Sequence, residues 1–243
     1  MGRSRTVSYH GTQLAFCVPN SLNHFRVQTF ATKEPETLEW IESIPDGSVL
    51  WDVGANIGLY SCYAAKSRRC RVIAFEPSVF NLELLARNIF LNQLMDKITI
   101  MSLPLFELLT ENTLNMTSTS WGGALSAFAV KHGFDGHAID KVFEFRTLGL
   151  SMDDVVKKLR LPQPDYIKMD VDGIEHMILR GGSEVLKGVR GVVVEINDGF
   201  AIQADESRRL LEASGLRLVS KAHSEMIEES ATFNETFNQI WAR

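Results

Sequence analysis

The chain has 243 residues, 45% of them apolar and 23% charged, which suffices for one large domain with a substantial buried core. Its 25 basic and 30 acidic residues leave a net charge of −5, without the global basic field that supplies most affinity for nucleic acid. No apolar stretch approaches the roughly 18–20 residues that cross a bilayer, and no apolar segment follows the basic start Met-Gly-Arg-Ser-Arg, so it does not read as a secretory signal.

Residues 5–30 alternate weakly, with Val7, Tyr9, Leu14, Phe16 and Val18, then Phe25, Val27 and Phe30, and break at His10-Gly11 and Pro19-Asn20. That pattern predicts a strand pair or short extended segments. Residues 1–34 are therefore expected to form an N-terminal strand and helix extension ahead of a domain over residues 35–243. Glu34-Pro35-Glu36 opens a helix carrying Leu38, Trp40 and Ile41, with the proline in its first turn, and Asp46-Gly47 makes a turn. From there strand, loop and helix repeat. Strands are predicted over 49–53, 71–75, 97–101, 165–169 and 189–196, and helices over 59–66, 79–92, 151–159, 175–181 and 206–214. The helix at 79–92 should turn Leu82, Leu85, Ile89 and Phe90 inward, and Ser151 is positioned to cap the helix that follows it. Residues 107–147 show no clear period. Strands at 216–220 and 236–241 close the chain, the last alternating and so expected to be half exposed. Apolar strands alternating with helices imply an α/β fold with a parallel sheet covered on both faces. Cys17, Cys62 and Cys70 match no zinc or redox spacing and read as idle thiols of a reducing cytoplasm.

The strongest motif is Val49-Leu50-Trp51-Asp52-Val53-Gly54-Ala55-Asn56-Ile57-Gly58, a strand ending in an acid and followed by a glycine turn into a helix. In doubly wound folds this crossing lies at the carboxyl edge of the sheet, where ligands bind. Glycine there lets the backbone approach a ligand without a Cβ clash. A dinucleotide site and a methyltransferase loop share this outline, and Asp52 favours the second. A carboxylate at that point can engage the methionine end of S-adenosylmethionine, its ammonium included, whereas beside a pyrophosphate it would be repelled. Asn56 also stands where the dinucleotide fingerprint has its central glycine. Glu76, at the tip of the strand 71–75, can accept both hydroxyls of a ribose, and Pro77 after it is closer to the methyltransferase pattern.

Asp52-Val-Gly-Ala-Asn-Ile-Gly-Leu-Tyr60-Ser61, Phe75-Glu76-Pro77, Ile167-Lys168-Met169-Asp170-Val171-Asp172-Gly173-Ile174-Glu175 and Leu179-Arg180-Gly181-Gly182 together resemble the FkbM methyltransferase family, over about residues 45–200. The resemblance implies a Rossmann-like class I methyltransferase, doubly wound, with a seven-stranded sheet whose last strand is antiparallel. It also implies S-adenosylmethionine as cofactor and O-methylation, commonly of sugars in glycans, lipopolysaccharides and secondary metabolites. Carried onto this sequence, Asp52, Gly54, Asn56 and Gly58 line the methionine side of the cofactor, Ala55 and Tyr60 belong to the same loop and helix start, and Glu76 with Pro77 takes the ribose. Leu103-Pro104-Leu105-Phe106 departs from the family's usual small-residue and Asp pattern, which leaves the adenine contacts open.

Asp170 ends the fourth strand, next to the first in this topology, and should point into the cleft to hold the methionine ammonium, orient the acceptor or bind a metal. Glu195, near the end of the fifth strand, lies beside it, and an acid ending an apolar strand is costly to bury without a partner. Asp172 and Glu175 read as a turn and a helix N-terminal acid. His176 is a candidate general base for an alcohol. Asp170 and Glu195, with Asp198, also offer hard oxygen ligands that would suit magnesium. Residues 117–123, Thr-Ser-Thr-Ser-Trp-Gly-Gly, sit where a lid could form, with Trp121 available to stack on a sugar face. No Asn/Asp-Pro-Pro-Tyr/Phe element follows the fourth strand, where enzymes that methylate exocyclic base nitrogens carry one.

The resulting expectation is an S-adenosylmethionine-dependent O-methyltransferase with catalytic candidates Asp170, Glu195 and His176. Its expected acceptor is a carbohydrate or small-molecule hydroxyl, with no nucleic-acid partner, and a homo-oligomer is compatible with the sequence. An NAD-dependent oxidoreductase, a nucleic-acid methyltransferase and a non-catalytic cofactor-binding protein are the alternatives.

Overall fold

Ser4–Tyr9 (β1) and Thr12–Cys17 (β2) pair antiparallel, from Ser4 opposite Cys17 to Tyr9 opposite Thr12. His10 (φ 43°) and Gly11 (φ 82°) both take left-handed backbone, as a two-residue turn matched to the strand twist requires. In this computed structural model, residues 3–223 and 232–243 are described; Met1 and Gly2 of the basic start lie outside them.

The second half of the expected extended region is instead a helix, Ser21–Gln28 (α1). Asn20 caps it, its Oδ1 accepting from the Asn23 amide at 2.8 Å. Val27 and the following Phe30 are buried three residues apart, a helix-like spacing, while Phe25 is largely exposed, so the apparent alternation was not that of a strand. Pro35–Ser43 (α2) begins on its proline.

Val49–Val53 (β3), Leu59–Ser67 (α3), Arg71–Phe75 (β4), Val79–Leu91 (α4) and Ile98–Met101 (β5) then alternate as expected. Leu85 and Ile89 of α4 face the core, but Phe90 is 64% exposed, because the residue after a core position lies about 100° further round the helix. Thr110–Met116 (β6), Ala127–Phe128 (β7) and Phe143–Gly149 (β8) occupy the stretch that showed no period, as a separate antiparallel sheet in the order β7-β6-β8.

Met152–Lys157 (α5) follows, with the Ser151 Oγ accepting from the Asp154 amide at 3.0 Å. Tyr166–Met169 (β9), Glu175–Arg180 (α6), Ser183–Gly188 (α7), Gly191–Asn197 (β10), Ala201–Ala213 (α8), Arg217–Ala222 (β11) and Thr236–Ala242 (β12) complete the chain. α7 was not anticipated, and α8 begins ahead of the expected Glu206.

The main sheet has the order β11-β12-β10-β9-β3-β4-β5, with β12 antiparallel to both its neighbours. The doubly wound, seven-stranded arrangement with an antiparallel last strand is therefore present. Alternate residues serve two cores: Trp51 and Val53 pack with Ile73, Phe75 and Val192 on one face, while Leu50 packs with Val72, Ala74 and Val193 on the other. β12 is not half exposed, because it is inserted between β10 and β11, and Trp241 is fully buried. β11 takes the edge, with Leu218 and Val219 exposed and a register shift between Leu218 and Ser220.

The β1–β2 hairpin is fixed to α4 by two asparagines one helical turn apart. Asn88 Oδ1 accepts from the Cys17 amide at 2.8 Å, and Asn92 exchanges bonds of 2.9 and 2.8 Å with the Ala15 amide and carbonyl. These side chains serve backbone groups that a further strand would otherwise satisfy. Among the described residues no helix is long and apolar enough to cross a membrane.

Candidate active site

A cavity of about 360 Å³ opens at the carboxyl ends of β3, β4, β9 and β10, where the order of strands reverses between β3 and β9. Its floor is the loop after β3. The Gly54 and Ala55 amides both donate to the Phe75 carbonyl, at 3.0 and 2.9 Å, which holds the turn against β4. Gly54 has φ +84°, and a Cβ there would come within 1.8 Å of the Asp170 carbonyl oxygen, so only glycine lets the loop meet the tip of β9. Gly54, Ala55, Asn56, Tyr60, Glu76, Pro77, Asp170 and Glu195 all lie on the cavity wall, so most of the expected site residues are brought together.

Glu76 is buried, and its two oxygens accept from the Asn56 amide at 2.8 Å and the Ser78 amide at 2.7 Å. Burial outweighs these bonds and pushes its carboxyl up to about 7. Beside it Pro77, Pro104 and Leu105 give the wall an apolar stretch.

Asp52 and Gly58 are not on that wall. Asp52 lies beneath the loop, accepting from Ser61 Oγ at 2.5 Å, with Lys168 Nζ 3.9 Å from its other oxygen. Gly58 (φ +83°) precedes α3 and faces Leu85 instead of the cavity. Lys168, whose role went unread in the sequence, is buried with its Nζ 3.1 Å from Asp170 Oδ2 and 5.3 Å from the Tyr60 ring centre. A lysine within an apolar strand was its available signal, since a buried ammonium requires a partner. Burial opposes ionisation of Asp170, yet Lys168 and then Lys33 hold its carboxyl below the usual range.

The segment after α1 adds a second pair that sequence reasoning missed. Lys33 Nζ lies 2.5 Å from Glu34 Oε1, and both residues line the cavity. Glu34, Asp170 and Glu195 each place a carboxylate oxygen within 4.8 Å of the others. Glu195 is pushed well above the usual carboxyl range, first by burial and then by Asp170.

The roof is the loop 121–126. The Trp121 carbonyl accepts from Asn20 and Asn23, the Gly122 carbonyl from Arg26 Nε at 3.0 Å, and the Gly123 carbonyl from Asn56 and Asn81, both at 3.0 Å. Asn81 Oδ1 also accepts from the Gly122 amide at 2.9 Å, and Asp172 accepts from the Leu125 amide at 2.7 Å. Asp172 does sit in a turn, at φ 63°, but it also anchors this roof, and burial raises its carboxyl to about 6. Trp121 is bound by its carbonyl, while its side chain is exposed and off the cavity wall.

His176 is not brought to the site. It is buried, with its ring 6.0 Å from that of Phe200, and Nδ1 has no hydrogen-bond partner among the described residues. Burial lowers its pKa. Its position on α6 turns it away from the strand ends, and it lies off the cavity wall. Asp198 likewise lies off the wall and forms an ion pair with Lys221. Glu175 is the helix N-terminal acid expected, accepting from the Val171 amide at 3.0 Å and from Gln203.

The profile of the Methyltransferase FkbM domain matches residues 52–229. The hexuronic acid methyltransferase AglP of Haloferax volcanii is 29% identical over 160 residues, 65% of this chain, and the match spans 60% of that protein. Among solved structures, the methyltransferase FkbM of Methylobacillus flagellatus KT aligns with a TM-score of 0.58 at 16% identity, over 91% of this chain and 52% of that one. TYW2 of P. horikoshii, solved in complex with MeSAdo, aligns with a TM-score of 0.50 at 9% identity, over 98% of this chain and 69% of that one. These likenesses agree with the Rossmann-like class I methyltransferase architecture of the sheet. With the profile covering most of its length, the chain belongs to the FkbM methyltransferase family.

Proposed function

We propose that this chain transfers the methyl group of S-adenosylmethionine to a hydroxyl oxygen of a sugar. The observation that carries the cofactor is Glu76, a buried carboxylate held by the Asn56 and Ser78 amides beside the Gly54 loop. Each oxygen keeps a lone pair for one of two vicinal ribose hydroxyls. Pro77, Pro104 and Leu105 offer an apolar face for adenine, and the cavity of about 360 Å³ has the size of a small-molecule site. When bound, S-adenosylmethionine supplies an electrophilic methyl on a positively charged sulfur.

Gly54, Ala55 and Asn56 hold the methionine side, and Asp170 is the carboxylate on the wall for its ammonium. With the cofactor bound, Glu195 on the wall beside Asp170 would take the acceptor's hydroxyl proton as the methyl group passes to its oxygen and S-adenosylhomocysteine is released. Burial and Asp170 favour the protonated form of Glu195, and the positive charge of a bound sulfonium would favour the ionised form that accepts a proton. Glu34, Asp170 and Glu195 have the donor chemistry of a hard cation site, but Lys33 and Lys168 already neutralise two of the three. The cluster therefore does not fit magnesium, and no step is assigned to a metal.

The hexuronic acid methyltransferase among the relatives supports a sugar acceptor. The chain spans about three fifths of that relative's length, so the acceptor is part of the proposal. Calorimetric titration with S-adenosylhomocysteine and, separately, NAD tests the cofactor. Micromolar binding of the first, lost in Glu76→Ala and absent for NAD, is expected; no binding of S-adenosylhomocysteine would sink the reading. Methyl transfer to a panel of neutral and acidic sugars then tests the acceptor, with Glu195→Gln expected to abolish turnover while cofactor binding persists.

A further inference from the structure

Among the described residues three cations line the cavity, and they are not equivalent. Lys33 is paired with Glu34, and Lys168 lies between Asp170 and Asp52. Arg26, in the last turn of α1, is half-buried on the wall and uses only Nε, which donates to the Gly122 carbonyl at 3.0 Å. Its two Nη nitrogens have no hydrogen bond or ion pair among the described residues.

We propose that the Nη edge of Arg26 binds a carboxylate inside the cavity, as the specificity-determining cation of the site. A guanidinium presents parallel N–H donors that match the two oxygens of a carboxylate, and the bond to Gly122 fixes the plane from which they project. The ion pairs made by Lys33 and Lys168 leave Arg26 as the cation on the wall without an ion pair among the described residues, although its charge is felt by Asp170 and Asp172. A partly buried charge in that position gains most from a ligand that brings the opposite charge. Phosphate is disfavoured, because its double charge would meet Glu76, Asp172 and Glu195 on the same wall.

Two ligands carry this chemistry: the amino-acid end of the cofactor, and an acceptor sugar bearing a carboxylate. Both rest on the methyltransferase reading above, which wild-type binding of S-adenosylhomocysteine tests separately. The probes are S-adenosylhomocysteine, 5′-methylthioadenosine, which keeps adenosine and sulfur but lacks the amino-acid end, and glucuronate against glucose in the presence of S-adenosylhomocysteine. Arg26→Ala is expected to weaken one carboxylate ligand by about tenfold or more, with Arg26→Lys falling between.

Loss confined to S-adenosylhomocysteine, with 5′-methylthioadenosine unchanged, supports the proposal and assigns the carboxylate to the cofactor. Unchanged S-adenosylhomocysteine with glucuronate weakened and glucose unaffected supports it and assigns the carboxylate to the acceptor. Equal weakening of S-adenosylhomocysteine and 5′-methylthioadenosine means that Arg26 only anchors the roof, and overturns it. So does unchanged S-adenosylhomocysteine together with glucuronate binding that is absent or unaltered. If wild type fails to bind S-adenosylhomocysteine, the methyltransferase reading falls first and this inference with it. A melting curve on each variant separates these outcomes from unfolding.

Discussion

The floor of the cavity is held by backbone, whereas its roof hangs from side chains. Below, the Gly54 and Ala55 amides share the Phe75 carbonyl and Gly54 presses on the Asp170 carbonyl, so geometry follows directly from parallel strand pairing. Above, the loop 121–126 is tied by Asn20, Asn23, Arg26, Asn56, Asn81 and Asp172, which come from four separate stretches of chain. A backbone-built floor tolerates almost no added atom. A side-chain-built roof can lose one tie and keep the rest.

Gly54→Ala should therefore give the largest effect. Its Cβ has 1.8 Å to the Asp170 carbonyl and the wrong φ, so stability should fall by roughly 3–5 kcal/mol, with cofactor binding lost. A melting temperature within a degree or two of wild type would break the contrast between floor and roof.

The carboxyls at the junction sharpen it through pH. Folded Glu76 and Glu175 titrate at about 7 and Asp172 at about 6, all above their unfolded values. The ligand-free fold thus binds more protons than the unfolded chain between about pH 4.5 and 7, so its stability falls as pH rises through that window, and Glu195, raised well above the usual range, carries the same trend. His176, lowered by burial, opposes the trend singly. Melting temperature should be several degrees higher at pH 5.5 than at pH 8, a net effect on the order of 3 kcal/mol. A midpoint that rises with pH would contradict the burial of these acids.

Asn81→Ala comes next. It strips the Gly122 amide and one donor of the Gly123 carbonyl, a cost of about 1–3 kcal/mol, but the remaining ties should keep the roof seated. Thermal melts should show this loss alongside measurable S-adenosylhomocysteine affinity. Arg146→Ala, which removes an exposed ion pair with Glu111 between β6 and β8, should leave both readouts at wild-type values.

The same contrast explains what the sequence disclosed. Val49–Val53, Arg71–Phe75 and Tyr166–Met169 are short apolar runs with acids or glycines just beyond, and local pattern sufficed to place Gly54, Glu76 and Asp170 on one edge. The roof has no comparable period. Its residues are polar, and what they bond to is set by tertiary approach, as when Asn20 caps α1 and also reaches the Trp121 carbonyl. β12 was misread for a related reason: alternation marks which residues share a face, but not whether another strand covers the edge. His176 has the chemistry of a base, and only its packing against Phe200 removes it from the site.

The outer strand β11 bears on how the molecule behaves in crowded solution. A long, flat, apolar edge is a template on which another chain can add a strand. Leu218 and Val219 supply the apolar part of such a template, but the irregular register between Leu218 and Ser220 interrupts its ladder, and Arg217 and Lys221 bracket it with positive charge. Two such edges meeting antiparallel would set like charges against each other and mismatch their bonds, so the fold carries a guard against self-propagating fibrils on the side away from its chemistry.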